Sequence, residues 1–525
     1  MNLSRRQLLS WSLGASQVAL LERAGLLGGR AHAQTAADAP SRLCVLYIPG
    51  GFRFQHAFWP GSDADVEKSV PPPANFNGEP IFFRANQLTE LGPANGGYNP
   101  VRLWRSWDPA APQTRNNTFA PAMYGYQHFG LGSQLSVLHG IDQGTNDHAS
   151  GFIASACGVA GADFRAPAVH AVIANHLYSR FKDQRPLPFV IVDSSRGAPQ
   201  AMGLPSRAAP VFVPSIDALA PQLSADMAKN RWWQGLDGRT ARPEKDVRGM
   251  ALGGDLKTTA LEEYTLGVPG KYLGKSTPKV DGFLEGLHGS LSSVSRVLAT
   301  DVVTVLEQTK GIDVLTANKP AYLSSYGLGA FGYTFGLANF HMTQLEPRLD
   351  MTLRLLKSNL ATSVHCALAP DYDTHNGTGN ASSCAHGRNL MDIVARFLGE
   401  LKAAPAPGLP GKTLLDDTLV LVMSEFGRTW SAQSGGGYYQ GDDHHPYTSV
   451  VFAGGNVAGG RSVGNFNVPQ GTGVPVDLVE ENGQGSRRVP RAADVVTTAL
   501  RVMGMGFHDF FIPGGYGEVT GIRRT

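Results

Sequence analysis

The chain has 525 residues, and Lys+Arg 45 against Asp+Glu 43 leaves a formal charge of +2, without the basic surplus that a nucleic-acid-binding face requires. Gly 63 and Pro 34 together exceed the average share of about 12%, yet no repeating Gly period accompanies them, so collagen is excluded and long ordered loops are expected. The length accommodates three domains, but one large α/β body with insertions fits equally well.

The first segment reads as an address. Ser4-Arg5-Arg6-Gln7-Leu8-Leu9 is followed by a moderately apolar stretch and then by Ala31-His32-Ala33. That order of charged, apolar and small-residue parts predicts a twin-arginine signal peptide over residues 1–33. The twin-arginine translocase is then the partner during export, and the mature protein is expected in the periplasm or outside the cell. Cleavage removes four of the 45 basic and one of the 43 acidic residues, leaving a net charge of −1. No later stretch approaches the ~18 uninterrupted apolar residues that a membrane span needs. The twin-arginine route carries folded proteins, often built around a metal or cofactor.

Four cysteines follow, Cys44, Cys157, Cys366 and Cys384, and none forms a C-x-x-C pair. Cys366 and Cys384 flank the most polar loop and could be joined in an oxidising compartment. Buried free thiols are the expectation for Cys44 and Cys157.

Along the chain, Leu43–Ile48 reads as a buried parallel strand ended by Pro49-Gly50-Gly51. Residues 59–120 read as a long surface excursion. Leu135–Ile141 is a second strand, followed by Thr145-Asn146-Asp147-His148 and a small-residue helix to about Val159. Phe189–Val192 is a third strand. Residues 215–311 have a mostly helical pattern and form the candidate helical insertion. A helix over Leu345–Leu360 leads into a strand over Ala361–Ala369, and a helix over Gly387–Ala403 stops at Pro405-Ala406-Pro407-Gly408. Thr418–Met423 is the strongest strand, Thr448–Phe452 another, and a last helix covers Arg491–Met503. Alternating strands and helices predict a parallel sheet covered on both faces.

Ligands of open parallel sheets bind beyond the carboxyl ends of the strands. That rule collects Asp147-His148 and Ser150, then Asp371-Tyr372-Asp373-Thr374-His375, then Ser424-Glu425-Phe426-Gly427-Arg428-Thr429, and Asp442-Asp443-His444-His445 just before a strand. Carboxylates and imidazoles are the donors that bind zinc, manganese or calcium. Any one pair is equally consistent with a capped turn or a surface loop; convergence of three is what makes a divalent metal site.

These segments resemble the DUF1501 family of exported bacterial proteins, within the alkaline phosphatase and sulfatase superfamily. The carrying residues are Asp371–His375, Asp417–Val420 running into Ser424–Thr429, Asp443-His444-His445-Pro446, and Ala453–Gly460. The resemblance is strong over about residues 360–465 and weaker over 43–160, where Asp147-His148 also resembles the related DUF1552 family. It implies an alkaline-phosphatase-like α/β three-layer sandwich over residues 34–525, with a central largely parallel sheet, a helical insertion at about 215–311, a metal at the sheet's carboxyl edge, and hydrolysis of small anionic phosphate or sulfate esters. Asp373 and His375 match the family's Asp-Thr-His, Asp443 and His444 match its Asp-His, and Glu425 stands where sulfatase-like enzymes carry Asp-His. The sequence departs from the pattern in three places. Phe52-Arg53-Phe54 follows Gly50-Gly51 where many relatives have an Asp; Glu425-Phe426 lacks the imidazole; and the sulfatase nucleophile motif is not recognisable.

Asp373, His375, Glu425, Asp443 and His444 are therefore the metal-ligand candidates. Ser150 or Thr145 is the candidate nucleophile, and Arg428 the candidate grip on the substrate anion. The alternatives are a simple cap for Ser150 and an ion pair with Glu425 or Asp443 for Arg428. Asp147-His148 is placed either to replace the missing first-strand Asp or to cap a turn. His365 reads as a core histidine, His445 as a supporting or solvent-facing one, and Trp232-Trp233 as packing. The competing function is a non-catalytic extracytoplasmic binding or assembly protein on a degenerate hydrolase body.

Overall fold

The computed structural model describes residues 39–52, 54, 58–59, 104–107, 116–119, 126, 129–159, 166–193, 199, 204, 208–216, 302–312, 336–368, 373, 379–428, 443–467, 472–507 and 515–524. Among the described residues, the strands of the central sheet and of the short β10–β11 pair beside it are β1 Arg42–Ile48, β2 Phe58–Trp59, β3 Trp104–Trp107, β4 Asn116–Phe119, β5 Leu135–Asp142, β6 Leu187–Asp193, β7 Val211–Phe212, β8 Ala361–Ala367, β9 Thr418–Ser424, β10 Gly427–Arg428, β11 His444–His445, β12 Tyr447–Gly454 and β13 Arg461–Val463. The helices are α1 His148–Cys157, α2 Val169–Phe181, α3 Val302–Gln308, α4 Gly336–Lys357, α5 Gly379–Ala403 and α6 Ala492–Val502.

Among the described residues, the largest sheet has 11 strands in the order β2-β4-β3-β13-β5-β12-β9-β1-β8-β6-β7. Its centre is parallel: β1 lies between β8 and β9, and β6 continues the run beyond β8. The antiparallel pairings are β12 with β5 and β9, and β4 with β2 and β3. Two reversals cancel, so β5 points the same way as β9, β1 and β8. The strands at the centre are uninterrupted apolar runs because both their faces are covered. Every residue of β1, β8 and β9 is buried.

Alternation along β1 sorts its side chains into two cores. Cys44, Leu46 and Ile48 pack with Leu349, Leu353 and Leu356 of α4 and Leu390, Val394 and Phe397 of α5. Leu43, Val45 and Tyr47 pack with Phe152 of α1, Val172 and Ile173 of α2, and Val495 and Val496 of α6. Each fully buried Leu, Val or Phe stabilises the fold by about 1.5–3 kcal/mol relative to exposure. The result is a mixed α/β architecture with helices on both faces of a mostly parallel sheet.

Several expectations change in detail. The helix read at 345–360 starts earlier, at Gly336, and that read at 387–403 starts at Gly379. The strand over Thr448–Phe452 runs against its neighbours instead of with them. Within the 59–120 excursion, the short strands β3 and β4 extend the sheet. Of the 215–311 insertion, only 215–216 and 302–311 are described; the remainder, Trp232-Trp233 and the 1–33 leader lie outside the described residues. Cys366 is corrected from a bridge partner to a buried free thiol: it sits inside β8, facing a core instead of the polar loop. Among the described residues, no helix is long and apolar enough to cross a membrane.

Candidate metal-binding site

Four strand ends meet at one edge of the sheet, the carboxyl edge of β1, β5, β8 and β9, where β12 begins. β1 delivers Gly50-Gly51; β5 leads through a turn to His148; β8 precedes Asp373; β9 delivers Glu425 and the adjoining Arg428. His444 arrives on β11, which pairs with β10 through Arg428↔His444. Chain topology thus joins residues separated by almost 300 positions, as the hydrogen bond between His148 and Glu425 illustrates (|i−j| = 277).

One ligand atom from each of His148, Asp373 and His444 lies within 4.8 Å of the others. His148 Nε2 is 3.0 Å from Asp373 Oδ2, and His444 Nε2 is 3.2 Å from Asp373 Oδ1. All three side chains are partly exposed, at 20%, 24% and 18%. The opposite ring nitrogens are already committed: His148 Nδ1 is 3.0 Å from Glu425 Oε1, and His444 Nδ1 is 2.7 Å from the Asn146 carbonyl. Both nitrogens of each ring face acceptors, so a neutral imidazole can donate to only one of them; with the proton on Nδ1, Nε2 presents a lone pair toward Asp373. In that state three acceptor sites face one another, and a second proton on each ring or a cation reconciles them.

The surroundings fix this arrangement. Arg428, only 1% exposed, places Nη2 2.5 Å from Asp373 Oδ1. Its Nε donates to the carbonyls of Gly50 and Gly51 at 3.0 and 3.2 Å, and Nη2 also reaches Gly50. With the rings protonated at Nε2 and no cation present, burial works against ionisation of Asp373, but hydrogen bonds from Arg428 and His444 and the charges of Arg428 and His148 outweigh it. The carboxyl is held well below the usual carboxylate range. Glu425 is fully buried and accepts from Gly50 N at 2.6 Å, Tyr47 Oη at 2.7 Å and Ser424 Oγ at 3.3 Å. Phe426 lies beneath both imidazoles, its ring centroid 4.9 Å from His148 and 4.4 Å from His444. Gly51 has φ +79, and a Cβ there would come within 2.4 Å of the Phe426 ring. Gly151 lets α1 approach Glu425: its Cβ would lie 2.8 Å from the Glu425 carbonyl.

Of the sequence candidates, Asp373 and His444 come together, and His148, read as either a substitute ligand or part of a capped turn, joins them. Both roles coexist at that turn: Asp147 caps α1 through Ser150 N at 2.8 Å, leaving His148 directed at the cluster. Glu425 stands behind His148, not in the three-residue group, because both its oxygens are already occupied by protein donors. Asp443 is exposed and outside that group, and His375 lies outside the described residues. Arg428 is turned inward against backbone carbonyls and Asp373, a placement different from the substrate grip expected of it. Ser150 donates its backbone N–H to Asp147 Oδ1 at 2.8 Å, the capping role open to it in the sequence. His365 is a core histidine, with His170 Nε2 3.3 Å from its Nδ1. Sequence reasoning missed Tyr47 and Phe426, since an aromatic in an apolar run gives no signal beyond packing.

No curated protein and no solved structure matches the chain. Residues 351–516, which carry Asp373, Glu425, Arg428 and His444 but not His148, match the model of a family described as "Protein of unknown function (DUF1501)", and this supports the DUF1501 resemblance for that stretch.

Proposed function

We propose that the protein is an exported, metal-dependent hydrolase of phosphate or sulfate esters, on a body related to the alkaline phosphatase and sulfatase superfamily. The observation that carries the reading is the convergence of His148 Nε2, Asp373 and His444 Nε2 as acceptors with both Nδ1 atoms spent elsewhere. Tetrahedral zinc with bonds of ~2 Å separates its ligand atoms by about 3.3 Å; here one atom from each residue lies within 4.8 Å of the others, so a small inward movement of the side chains brings them to that spacing. Two imidazoles favour zinc or manganese over calcium, which takes oxygen ligands. Three protein ligands at a partly exposed edge leave a coordination position for a small molecule.

His148, Asp373 and His444 would hold the ion. When bound, a divalent cation supplies Lewis acidity toward an ester oxygen and lowers the pKa of a water. Arg428 keeps Asp373 ionised and fixes which oxygen it offers. The phosphate or sulfate class rests on the family resemblance alone.

A second reading, a metal-clamped binding or assembly protein, is favoured by the inward turn of Arg428, which leaves the substrate anion without that partner. Metal analysis of the purified protein, followed by assay on generic phosphate and sulfate esters, separates the two. Stoichiometric zinc or manganese, with turnover abolished in Asp373→Ala and His444→Ala, supports the hydrolase. Metal without turnover supports the clamp; a metal-free, monodisperse protein without hydrolysis rejects both.

A further inference from the structure

We infer that Tyr47 and Glu425 form a positioning relay that sets the tautomer and basicity of His148 and so tunes the affinity of the edge for a cation. This inference rests on the metal-site reading above. The geometry is directional. Tyr47 Oη donates to Glu425 Oε2 at 2.7 Å, Gly50 N donates to Oε1 at 2.6 Å, and His148 Nδ1 lies 3.0 Å from Oε1. The carboxylate is wholly buried, while the imidazole it serves reaches the partly exposed edge. With a cation on Nε2, a buried carboxylate on Nδ1 holds the imidazole neutral with its proton on Nδ1 and raises electron density at Nε2.

Tyr47 fits this role because of where β1 places it. Its ring sits in the core edge-on to Phe152, with centroids 5.1 Å apart, so packing holds the ring that carries the hydroxyl. Register places Tyr47 opposite Met423 of β9, two residues before Glu425. Parallel neighbours thus bring a phenol and a carboxylate together with no loop between them. Phe426, against both imidazoles, restricts ring rotation, leaving the relay to choose which nitrogen faces the ion. His444 takes its orientation from the Asn146 carbonyl instead, a neutral acceptor. The two ligand histidines are therefore unequal, and the Glu425-backed one is the stronger donor.

The test is a calorimetric titration of the metal-stripped full chain with zinc, beside its thermal unfolding midpoint without metal. Glu425→Gln keeps the shape and an oxygen for His148 Nδ1 but removes the charge. A 10–100-fold weaker zinc affinity is expected, the usual effect of removing such a partner. Tyr47→Phe keeps the ring and removes one donor to Glu425; a severalfold loss is expected, with the metal-free midpoint close to that of the unaltered protein. Unaltered protein that binds zinc while both variants bind it equally well overturns the relay alone. Unaltered protein that binds neither zinc nor manganese overturns the relay together with the metal site. Variants whose affinity falls only in proportion to a lowered midpoint overturn it as well, since that is the signature of lost packing.

Discussion

The two edges of the central strands carry opposite polar designs. At the amino edge, Asp417 accepts from Ser41 N at 3.0 Å and from Ser41 Oγ at 2.7 and 2.9 Å, and pairs with Arg42 and, at 3.6 Å, with Arg185. Asn359 accepts from Arg185 Nε at 2.9 Å and from Arg42. Here donors outnumber acceptors, and Asp417, Arg42 and Arg185 are almost wholly buried. At the carboxyl edge, acceptors converge and the side chains are partly exposed. A buried donor-rich cluster has no use for a cation and acts as a clamp on β1, β9 and the turn before β8. An acceptor-rich, accessible one invites a cation. The same residue types, Arg with Asp, serve structure at one edge and a site at the other; the balance of donors and the access of solvent decide which.

The sharpest way to break this comparison is to delete the acid at each edge. Asp417→Ala leaves two buried guanidinium groups facing each other, and removing one member of a buried ionic network costs about 3–5 kcal/mol. Asp373→Ala removes the carboxylate from the buried Arg428, which keeps its two backbone carbonyls, so a smaller cost of about 1.5–3 kcal/mol is expected in the metal-free protein. Urea unfolding of both variants without metal measures the difference. Equal losses would mean that the carboxyl edge is also a clamp, and the distinction between the edges would fall.

How much of this was legible in the sequence follows from the range of the interactions. β1, β8 and β9 announced themselves because burial on both faces demands unbroken apolar runs. The strand-end rule collected Asp373, His444, Glu425 and Arg428 without knowing the strand order. The sequence could not disclose which side of Glu425 faces outward. That depends on the β1–β9 register, which sets Tyr47 beside it and occupies the carboxylate. Likewise, the fate of Arg428 depended on two carbonyls contributed by the Gly50-Gly51 loop, more than 370 residues away. The direction of β12 was hidden too, since a buried strand reads the same either way.

A second prediction concerns the histidines away from the edge. Burial lowers His139 and His365 to about 3, and pushes His170 well below its ordinary value with help from His365. In the unfolded chain each titrates near 6.5. Between about pH 6.5 and 3 the unfolded state therefore binds more protons, so stability rises with pH and is lost on acidification. At pH 5.5 the loss is roughly 1.4 kcal/mol per histidine. The depressed carboxyl of Asp373 adds a loss only below about pH 4, where its unfolded form begins to protonate. Unfolding midpoints taken between pH 7.5 and 5 should fall in the unaltered protein and fall less in His139→Gln. A flat profile over that window would show that these rings take up protons in the folded state.

The smallest expected effect tests the donor surplus at the amino edge directly. Burial and the neighbouring charges of Arg42 and Arg180 lower the Arg185 guanidinium to about 8, the consequence of two buried cations sharing one carboxylate. Asn359 sits at φ 60, a left-handed conformation that Asp tolerates nearly as well as Asn, and it is only partly buried. Asn359→Asp therefore adds a carboxylate where two guanidinium groups already donate, without new backbone strain and with a modest desolvation cost. Charge-assisted hydrogen bonds are about twice as strong as neutral ones, so a gain of about 1 kcal/mol is expected at pH 7. The introduced group has its folded pKa depressed by the arginines, so the gain should be present above about pH 4 and vanish as pH falls further. Urea midpoints of the two proteins at pH 7 and pH 3.5 measure it. A loss of stability at pH 7 would mean that Arg42 and Arg185 are already neutralised, and that the amino edge is balanced instead of donor-rich.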